Sequence, residues 1–357
     1  MRLPVIPPEG GAFALAQRNL DPLPDEARDR WAGAVMRGSP RGFVALPERL
    51  ILELLNSCNL DCPMCRVGEF GIDLDRQMPF DLFCRIAEEL FGHVREVRLN
   101  GLGETSLLPD LDRYLDVLER YGVRIELITN GTGKTAIYER LLATGATVLV
   151  SWDAARPEVF ERVRRPARFA QLAQTMEDLG RAAARLGRTD ALHLLYTLQP
   201  GTERELPGIV ELAHRFGIRS VVTNVAKLPV KDWLRRIESV AFEAFAEADR
   251  MAPALGVKLS LPDHLGARRV ELPSAMPSAA RGCDRPFKEA VIRWNGDVQV
   301  CNMFNPWVYG NLHLGSFERA WMGSFAVAFR TQFRTEPGHP YCKDCYYLAG
   351  VYERNRD

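Results

Sequence analysis

The chain has 357 residues, in which 46 basic side chains balance 46 acidic ones to give a formal net charge of zero. This balance excludes the excess of lysine and arginine on which binding to nucleic acids or anionic membranes rests, and 46% hydrophobic residues exclude a largely disordered chain. No apolar run approaches the ~20 residues of a membrane span and the N-terminal residues lack a signal-peptide pattern, so we expect a folded cytoplasmic protein with no membrane or nucleic-acid partner.

Strand-like and helix-like segments alternate from residue 50 onward. Short runs rich in β-branched residues and leucine predict strands, at residues 50–55, 96–100, 124–129, 147–151, 192–198 and 220–224. Amphipathic stretches between them predict helices, at residues 80–91, 108–121, 136–143, 169–186 and 203–216. For the second helix we expect Asp110 or Ser106 as the N-cap and Gly122 as the stop. The alternation predicts an α/β fold with parallel strands, either a barrel or an open doubly wound sheet.

The pattern changes after a long helical stretch near residues 237–251. Residues 290–300 predict a β-hairpin, because Asn295-Gly296 is a favoured pair for a type I′ turn. We therefore expect three parts, namely an N-terminal arm at residues 1–47, a parallel α/β domain at residues 48–260 and a smaller cysteine-bearing domain at residues 261–357.

Seven of the eight cysteines fall into two groups. The first group is Cys58, Cys62 and Cys65, on a loop that leaves the first predicted strand. In a reducing cytoplasm such spacing indicates metal binding or redox chemistry rather than disulfides. Three neighbouring thiolates favour an iron–sulfur cluster with one iron left open, and a zinc knuckle completed by a distant fourth ligand is the alternative.

The spacing Cys-x3-Cys-x2-Cys resembles the signature of the radical S-adenosylmethionine (SAM) superfamily. The resemblance implies a partial (β/α)6 TIM-like barrel, in which the three cysteines hold a [4Fe–4S] cluster whose open iron is chelated by SAM. It also implies an external one-electron reductant of the flavodoxin or ferredoxin type, and cleavage of SAM to a 5′-deoxyadenosyl radical that abstracts hydrogen from the substrate. Two residues depart from the family pattern without touching a ligand, because Met64 replaces a usual aromatic residue and Thr105 a usual proline.

Residues after other predicted strands resemble the SAM-binding segments of the same family. Asn100-Gly101-Leu102-Gly103-Glu104 resembles the Gly-Gly-Glu segment, which implies a charge-assisted hydrogen bond from the methionyl amino group to Glu104. The other SAM contacts implied by the resemblance follow the third, fourth and sixth strands, at Thr129, Asn130, Ser151, Asp153 and Asn224. Taken singly, Glu104 also fits a helix cap, Asn130-Gly131 a turn and Ser151 a buried hydroxyl. Because the carboxyl ends of parallel strands meet at one edge, we expect all of these residues to converge there.

The second cysteine group is Cys283, Cys301, Cys342 and Cys345. Four thiols from a hairpin and a later Cys-x2-Cys can close a cluster site completely, with a structural zinc ribbon as the alternative. Cys-x12-Gly-x4-Cys followed by Cys-x2-Cys resembles the SPASM/twitch extension of radical SAM enzymes. Since residues 346–357 contain no further cysteine, the resemblance implies the shorter twitch form with one auxiliary [4Fe–4S] cluster.

These resemblances predict an enzyme that oxidises a small hydroxylated natural-product intermediate, such as a sugar, an aminocyclitol or a nucleoside. A fully ligated auxiliary cluster is suited to accept an electron from a substrate radical, and the cysteine arrangement resembles that of the aminocyclitol dehydrogenase of butirosin biosynthesis. The alternatives are epimerisation or elimination on the same substrate class, a maturase of ribosomal peptides, and a non-catalytic scaffold. We disfavour the maturase because the 47-residue arm is short for a peptide-binding domain.

Two further residues carry no assigned catalytic role. Cys84 lies on the first predicted helix, where a buried small hydrophobic residue is favoured over a hydrogen-atom donor. His193 alternates with apolar neighbours on a predicted strand and is expected to face the barrel interior. The catalytic base is not identified by the sequence.

Overall fold

The computed structural model describes residues 45–65, 71–226, 233–261, 285–301 and 308–335, with side chains described from residue 239 in the third range and up to residue 331 in the last. Most of the predicted arm at residues 1–47 lies outside these ranges. Cys283, Cys342 and Cys345 of the second cysteine group also lie outside them. The boundaries of the three predicted parts stay a prediction.

One sheet of ten strands organises the described residues. Its strand order is β10-β9-β8-β1-β2-β3-β4-β5-β6-β7, and every pair from β8 through β1 to β7 is parallel. The hairpin β8–β9 and the pair β9–β10 are antiparallel. The strands are β1 (Arg49–Leu52), β2 (Glu96–Leu99), β3 (Arg124–Thr129), β4 (Thr147–Ser151), β5 (Leu192–Leu198), β6 (Ser220–Val225), β7 (Lys258–Ser260), β8 (Glu289–Ile292), β9 (Asp297–Gln299) and β10 (Val308–Asn311).

Helices connect the parallel strands and cover one face of the sheet. They are α1 (Phe80–Leu90), α2 (Leu111–Tyr121), α3 (Thr135–Ala143), α4 (Pro157–Val163), α5 (Phe169–Arg185), α6 (Leu206–Arg215), α7 (Trp233–Met251), α8 (Arg285–Lys288), α9 (Phe317–Trp321) and α10 (Ser324–Thr335). The six predicted βα units are confirmed, and the fold is the expected mixed α/β barrel of parallel strands with an antiparallel hairpin region after it. The two additional parallel strands, β7 and β8, flank the six on either side.

The ends of α2 confirm one predicted signal and correct another. Gly122 has a φ of 65° and its N–H bonds the carbonyl of Glu119, so it ends the helix in the left-handed conformation that favours glycine. Asp110 does occupy the N-cap position, but its side chain makes no capping bond and pairs with Arg113 at 3.1 Å instead. Ser106 lies in a separate 3-10 turn before the helix and bonds elsewhere.

Aromatic contacts show which strand residues face the helices. Trp152, directly after β4, packs on Phe160 of α4 and Phe169 of α5 with ring centroids 4.8 and 5.3 Å apart. Tyr196 of β5 packs on Phe245 of α7 at 6.0 Å. Because successive side chains of a strand point to opposite faces, the residues that alternate with these form the inner wall of the barrel.

The inner wall divides into a charged half and a neutral half. On β1, β2, β3 and β8 the charged half contains ion pairs between Arg98 and Glu126 and between Arg49 and Glu289. On β4 to β6 the inner wall is neutral. Paired positions in the neutral half are Leu149 with His193, Leu195 with Val222, and Thr197 with Asn224.

The C-terminal helices dock on the barrel through buried polar contacts. The backbone N–H of Phe317, at the start of α9, donates to the Glu89 carboxylate of α1 at 2.7 Å. Arg330 of α10 is fully buried, donates to the carbonyls of Pro286 and Trp321 at 2.8 Å each, and lies 4.1 Å over the Trp321 ring. Its many partners offset the high cost of burying a guanidinium.

Among the helices of the described residues, none has the length and apolar character that crossing a membrane requires.

Candidate active site

The first cysteine group lies on the loop that leaves β1. Cys62 is buried, Cys58 is half-buried and Cys65 is exposed. Two donors reach the Cys58 sulfur, the backbone N–H of Leu60 at 3.4 Å and the amide Nδ2 of Asn130 at 3.6 Å. The N–H of Cys65 closes a tight turn on the carbonyl of Cys62 at 2.9 Å. The loop therefore presents three sulfurs at the carboxyl edge of the sheet, as predicted from their position after a strand.

The surroundings of these thiols favour a bound metal cluster over free thiolates. Burial, together with the nearby Glu104 and the other two thiols, raises the pKa of Cys58 to about 12 against the opposing hydrogen bond from the Leu60 N–H. Burial likewise raises the pKa of Cys62 to about 11, although Arg164 opposes the shift. The free thiols of Cys58 and Cys62 therefore stay protonated near neutral pH, and a bound metal cluster would supply the positive charge that stabilises their thiolates as ligands.

The arrangement also suits a cluster better than a single ion. Among the described residues, no three histidine, cysteine or acidic side chains converge as the ligands of one metal ion. Each cysteine of a four-iron cluster binds a different iron, so the three sulfurs need not converge on one point. The donor set, three thiols on one loop, fits a [4Fe–4S] cluster with one iron left open for SAM, and the ligand assignment of Cys58, Cys62 and Cys65 stays a prediction.

A glycine-rich loop follows β2 and runs against the cysteine loop. A Cβ atom on Gly103 would lie 2.1 Å from the carbonyl oxygen of Leu55 and 2.7 Å from backbone atoms of Ser57, so only glycine fits there. A Cβ on Gly101 would lie 2.3 Å from the Glu53 side chain. The N–H of Glu104 donates to the Ser57 carbonyl at 3.0 Å, and this bond fixes the Glu104 backbone beside the cysteine loop.

Glu104 is buried in a network of hydroxyl and amide donors. One carboxylate oxygen accepts from the Ser106 hydroxyl at 2.6 Å and the Thr129 hydroxyl at 2.7 Å. The other accepts from the backbone N–H of Asn130 at 2.6 Å. Glu104 also caps the short 3-10 turn Thr105–Leu107 through the N–H of Ser106. The network joins the ends of β2 and β3 and holds the carboxylate at one place and orientation.

Tyr138 of α3 completes this network and was not expected from the sequence. Its buried hydroxyl donates to the Ser106 hydroxyl at 2.9 Å and accepts from the Gly133 N–H at 2.9 Å. Burial raises the pKa of Tyr138 above its usual value, and Glu104 adds to the shift. The phenol is therefore a neutral support for the loop. This role cannot be predicted from the sequence, because a tyrosine within a helical pattern does not indicate which loop its hydroxyl contacts.

Replacing Tyr138 by phenylalanine is expected to loosen the Glu104 network. The Tyr138→Phe variant leaves the Gly133 N–H without its partner, and we expect a loss of about 1–2 kcal/mol in the free energy of unfolding together with weaker SAM binding. Denaturant unfolding and equilibrium dialysis with labelled SAM measure the two effects. Tyr114→Phe is the matched control, because that buried hydroxyl donates to the Met78 carbonyl at 2.7 Å, outside the network. Equal losses of SAM affinity in both variants would contradict this role.

Asn130 connects the cysteine loop to the end of β3. Its amide nitrogen donates to the Asn59 side chain at 2.9 Å as well as to Cys58, and its oxygen accepts from the Thr132 hydroxyl at 2.6 Å. Asn59 in turn donates to the Thr132 hydroxyl at 2.9 Å. Gly131 follows with a φ of 78°, so the predicted turn is also present. Asn130 thus acts on the cysteine loop itself, and its predicted SAM contact stays a prediction.

Asp153 lies at the end of the fourth strand, fully buried, with both carboxylate oxygens occupied. One accepts from the guanidinium of Arg164 at 2.6 Å and the other from the Thr197 N–H at 2.8 Å. Burial disfavours the charge of Arg164, but Asp153 and the thiol of Cys62 raise its pKa above the usual value. The geometry places the positive charge of Arg164 beside Cys62, and the ion pair with Asp153 holds the guanidinium in position. Arg164 follows α4, whose seven residues are too few for a periodic pattern, and no local motif marks this arginine.

Ser151 and Asn224 stand on the inner wall near its carboxyl edge. Ser151 is buried and pairs in register with Leu195. Asn224 pairs with Thr197, and its side-chain oxygen accepts from the N–H of Val225 at 2.9 Å. The structure therefore brings every predicted SAM residue to one end of the barrel. Their contacts with SAM stay predictions.

Of the second cysteine group, only Cys301 lies within the described residues. It lies two residues after the end of β9 and is half-buried against the core. The predicted hairpin is confirmed at β8 and β9, with Gly296 at a φ of 84° in its turn. Cys84 of α1 is half-buried and packs on the hydrophobic core, as expected for a structural residue.

Comparison with known proteins identifies the family. Residues 52–213 match the model of the radical SAM superfamily, and residues 283–346 match that of the SPASM domain, described as an iron–sulfur cluster-binding domain. The chain belongs to the radical SAM superfamily and carries a C-terminal iron–sulfur domain. It is a radical SAM enzyme whose cofactors are SAM and [4Fe–4S] clusters.

Individual relatives are more distant. The chain is 23% identical over 334 residues to the tungsten-containing aldehyde ferredoxin oxidoreductase cofactor-modifying protein of Pyrococcus furiosus, covering 83% of this chain and 86% of that protein. It is 25% identical over 253 residues to the PqqA peptide cyclase of Methylorubrum populi, covering 63% of this chain and 60% of that protein. Among solved structures, Streptococcus suis SuiB bound to S-adenosylmethionine has a TM-score of 0.64 at 16% identity, covering 96% of this chain and 84% of that one, a likeness that supports the fold.

Proposed function

We propose that this enzyme is a radical SAM maturase that modifies a residue within a peptide. The observation that carries the proposal is the similarity to a peptide cyclase over 253 residues. A structure of SuiB with its precursor peptide SuiA also has the same fold as this chain, with a TM-score of 0.61. These comparisons support the peptide alternative better than oxidation of a small hydroxylated metabolite, the interpretation that the cysteine arrangement and the short N-terminal arm favour.

The residues of the carboxyl edge have distinct roles in this proposal. With its cluster and SAM bound, the site supplies a 5′-deoxyadenosyl radical after one-electron reduction by an external protein. Cys58, Cys62 and Cys65 hold the cluster, and Arg164 places a positive charge beside it. The Glu104 carboxylate accepts a charge-assisted hydrogen bond from the methionyl ammonium of SAM, because it is held rigidly next to the cysteine loop.

The neutral half of the inner wall is the proposed place for the substrate residue. Thr197 and Asn224 offer uncharged hydrogen-bonding groups that are half-exposed, and Leu195 beside them is apolar. Burial lowers the pKa of His193, against the opposing effect of Asp190, so this side chain is also neutral near pH 7. A wall of this chemistry accommodates a peptide backbone and an uncharged side chain without leaving a buried charge unpaired.

In this proposal the C-terminal cysteines hold a cluster that accepts an electron from the substrate radical. Cys283, Cys301, Cys342 and Cys345 suffice for one auxiliary cluster with no open iron, which is suited to electron transfer. After hydrogen abstraction, loss of a proton and transfer of one electron to this cluster would leave the substrate oxidised by two electrons overall.

Mass spectrometry of enzyme reactions tests the substrate class. Anaerobically reconstituted enzyme with SAM and dithionite is incubated either with short peptides encoded beside its gene or with hydroxylated sugars and aminocyclitols. We expect SAM-dependent loss of two hydrogens, about 2 Da, from a peptide, and a stoichiometric yield of 5′-deoxyadenosine. Turnover of the small hydroxylated compounds without turnover of any peptide would overturn the maturase proposal.

A further inference from the structure

Glu53 is a completely buried carboxylate at the exit of β1, five residues before the first cluster cysteine. It is not one of the residues that the family resemblance or the proposed chemistry uses. Burial raises its pKa, and the partners around it oppose that shift. Burying a carboxylate costs free energy unless its oxygens accept hydrogen bonds or pair with a cation. The contacts of Glu53 therefore indicate its role.

One oxygen of Glu53 holds the glycine-rich loop and the cysteine loop together. It accepts from the backbone N–H of Leu102 at 2.6 Å and from the Asn56 amide at 2.9 Å. Leu102 lies between the two glycines before Glu104, and Gly101 packs so closely on Glu53 that a Cβ atom there would lie 2.3 Å from it. The Glu53 side chain therefore packs against the loop before Glu104 and holds it by a hydrogen bond.

The other oxygen of Glu53 faces the C-terminal part of the chain. It pairs with the guanidinium Nε of Arg293 at 2.7 Å, and the two side chains are only 1% and 15% exposed. Arg293 begins the turn of the β8–β9 hairpin, where its N–H and carbonyl bond Asp297 and Gly296. β9 then leads within two residues to Cys301. One carboxylate thus joins the glycine-rich loop to the hairpin that carries an auxiliary-cluster cysteine.

We propose that the Glu53–Arg293 ion pair positions the loop at residues 101–104, so that SAM binds with full affinity only when the C-terminal hairpin is docked on β1. The inference rests on the proposed role of this loop in holding SAM. Without Arg293 the buried carboxylate lacks its countercharge and takes up a proton or water, and it no longer presents a fixed acceptor to Leu102. The two residues are positioning residues that act through the loop.

SAM affinity of reconstituted protein without substrate tests this coupling. We expect Arg293→Met and Glu53→Gln each to raise the Kd for SAM about tenfold, at unchanged iron content. The double variant should bind SAM much better than independent effects would predict, since each single variant already breaks the same pair. Arg293→Lys, which keeps the charge, should restore part of the affinity and serves if Arg293→Met fails to fold.

A matched variant separates positioning from general loss of stability. Arg98 of β2 forms a similarly buried inner-wall ion pair with Glu126 of β3, whereas the backbone of the glycine-rich loop bonds Glu53 and Ser57. Arg98→Met should lower the melting temperature comparably and change the Kd for SAM by less than twofold. The proposal is overturned if Arg293→Met binds SAM normally, or if Arg98→Met weakens binding equally. Because no substrate is present, failure of the peptide proposal would leave this result unaffected.

Discussion

Cys62→Ala is expected to abolish formation of 5′-deoxyadenosine and to lower the iron content from about eight to about four per chain. Cys62 is the most buried cysteine of its loop and the one beside Arg164. Removing its sulfur leaves two ligands, which cannot hold the cluster to which SAM binds. Iron analysis and chromatography of the products after reduction with dithionite measure both effects.

The matched control for this variant is Cys84→Ala. Cys84 is half-buried against the hydrophobic core on α1 and belongs to neither cysteine group. Its replacement should leave iron content and SAM cleavage within about twofold of the unmodified enzyme, with a modest loss of stability from the missing sulfur. Continued SAM cleavage by Cys62→Ala, or an iron loss in Cys84→Ala matching that of Cys62→Ala, would refute the ligand assignment.

Gly103→Ala is expected to have the second-largest effect, on both stability and SAM binding. The added methyl group would meet the carbonyl of Leu55 and both backbone polar atoms of Ser57 at 2.1 to 2.7 Å. Backbone atoms cannot swing aside as a side chain end can, so the loop must move and lose the bond from the Glu104 N–H to Ser57. We expect a loss of about 3 kcal/mol or more in the free energy of unfolding, and SAM binding weakened at least tenfold.

Gly92→Ala provides the comparison for this glycine. It follows α1, its φ is not in the left-handed region, and a Cβ there would meet nothing within 4 Å. This variant should unfold at nearly the same denaturant concentration as the unmodified protein and bind SAM unchanged. If Gly103→Ala behaved in the same way, the close approach of the two loops would not be what fixes Glu104.

Much of the fold could be predicted because its strands are short apolar runs separated by amphipathic helices. The six predicted strands are all present, with ends that differ by a few residues. The strand β7 has only three residues with little apolar character, and α4 has seven, so neither gives a periodic signal long enough to recognise. The parallel pairing of β8 with β1 is a long-range contact that no local pattern encodes.

The site was predictable where the sequence spacing itself carries the chemistry. The three cysteines, the two glycines and Glu104 follow strand ends, and strand ends of a parallel sheet converge. The partners that arrange them come from distant parts of the chain. Tyr138 lies on a helix, Arg164 after an unpredicted helix and Arg293 in the C-terminal hairpin. Their roles depend on tertiary contacts alone.

The substrate was the least predictable part. The small-metabolite interpretation relied on the cysteine arrangement and on the modest size of the segment at residues 1–47. Neither feature describes the inner wall of the barrel, which a substrate would contact. That wall is assembled from β4 to β6 and becomes apparent only once their register is known.

The pairing of β1 with β8 has a consequence for biosynthesis of the protein. β1 emerges early from the ribosome, but its second neighbour in the sheet, β8, is translated only near the end of the chain. Until then one side of β1 presents unpaired backbone groups, the kind of open edge that recruits other strands. We therefore expect partly made chains to aggregate more readily before β8 is translated than after it.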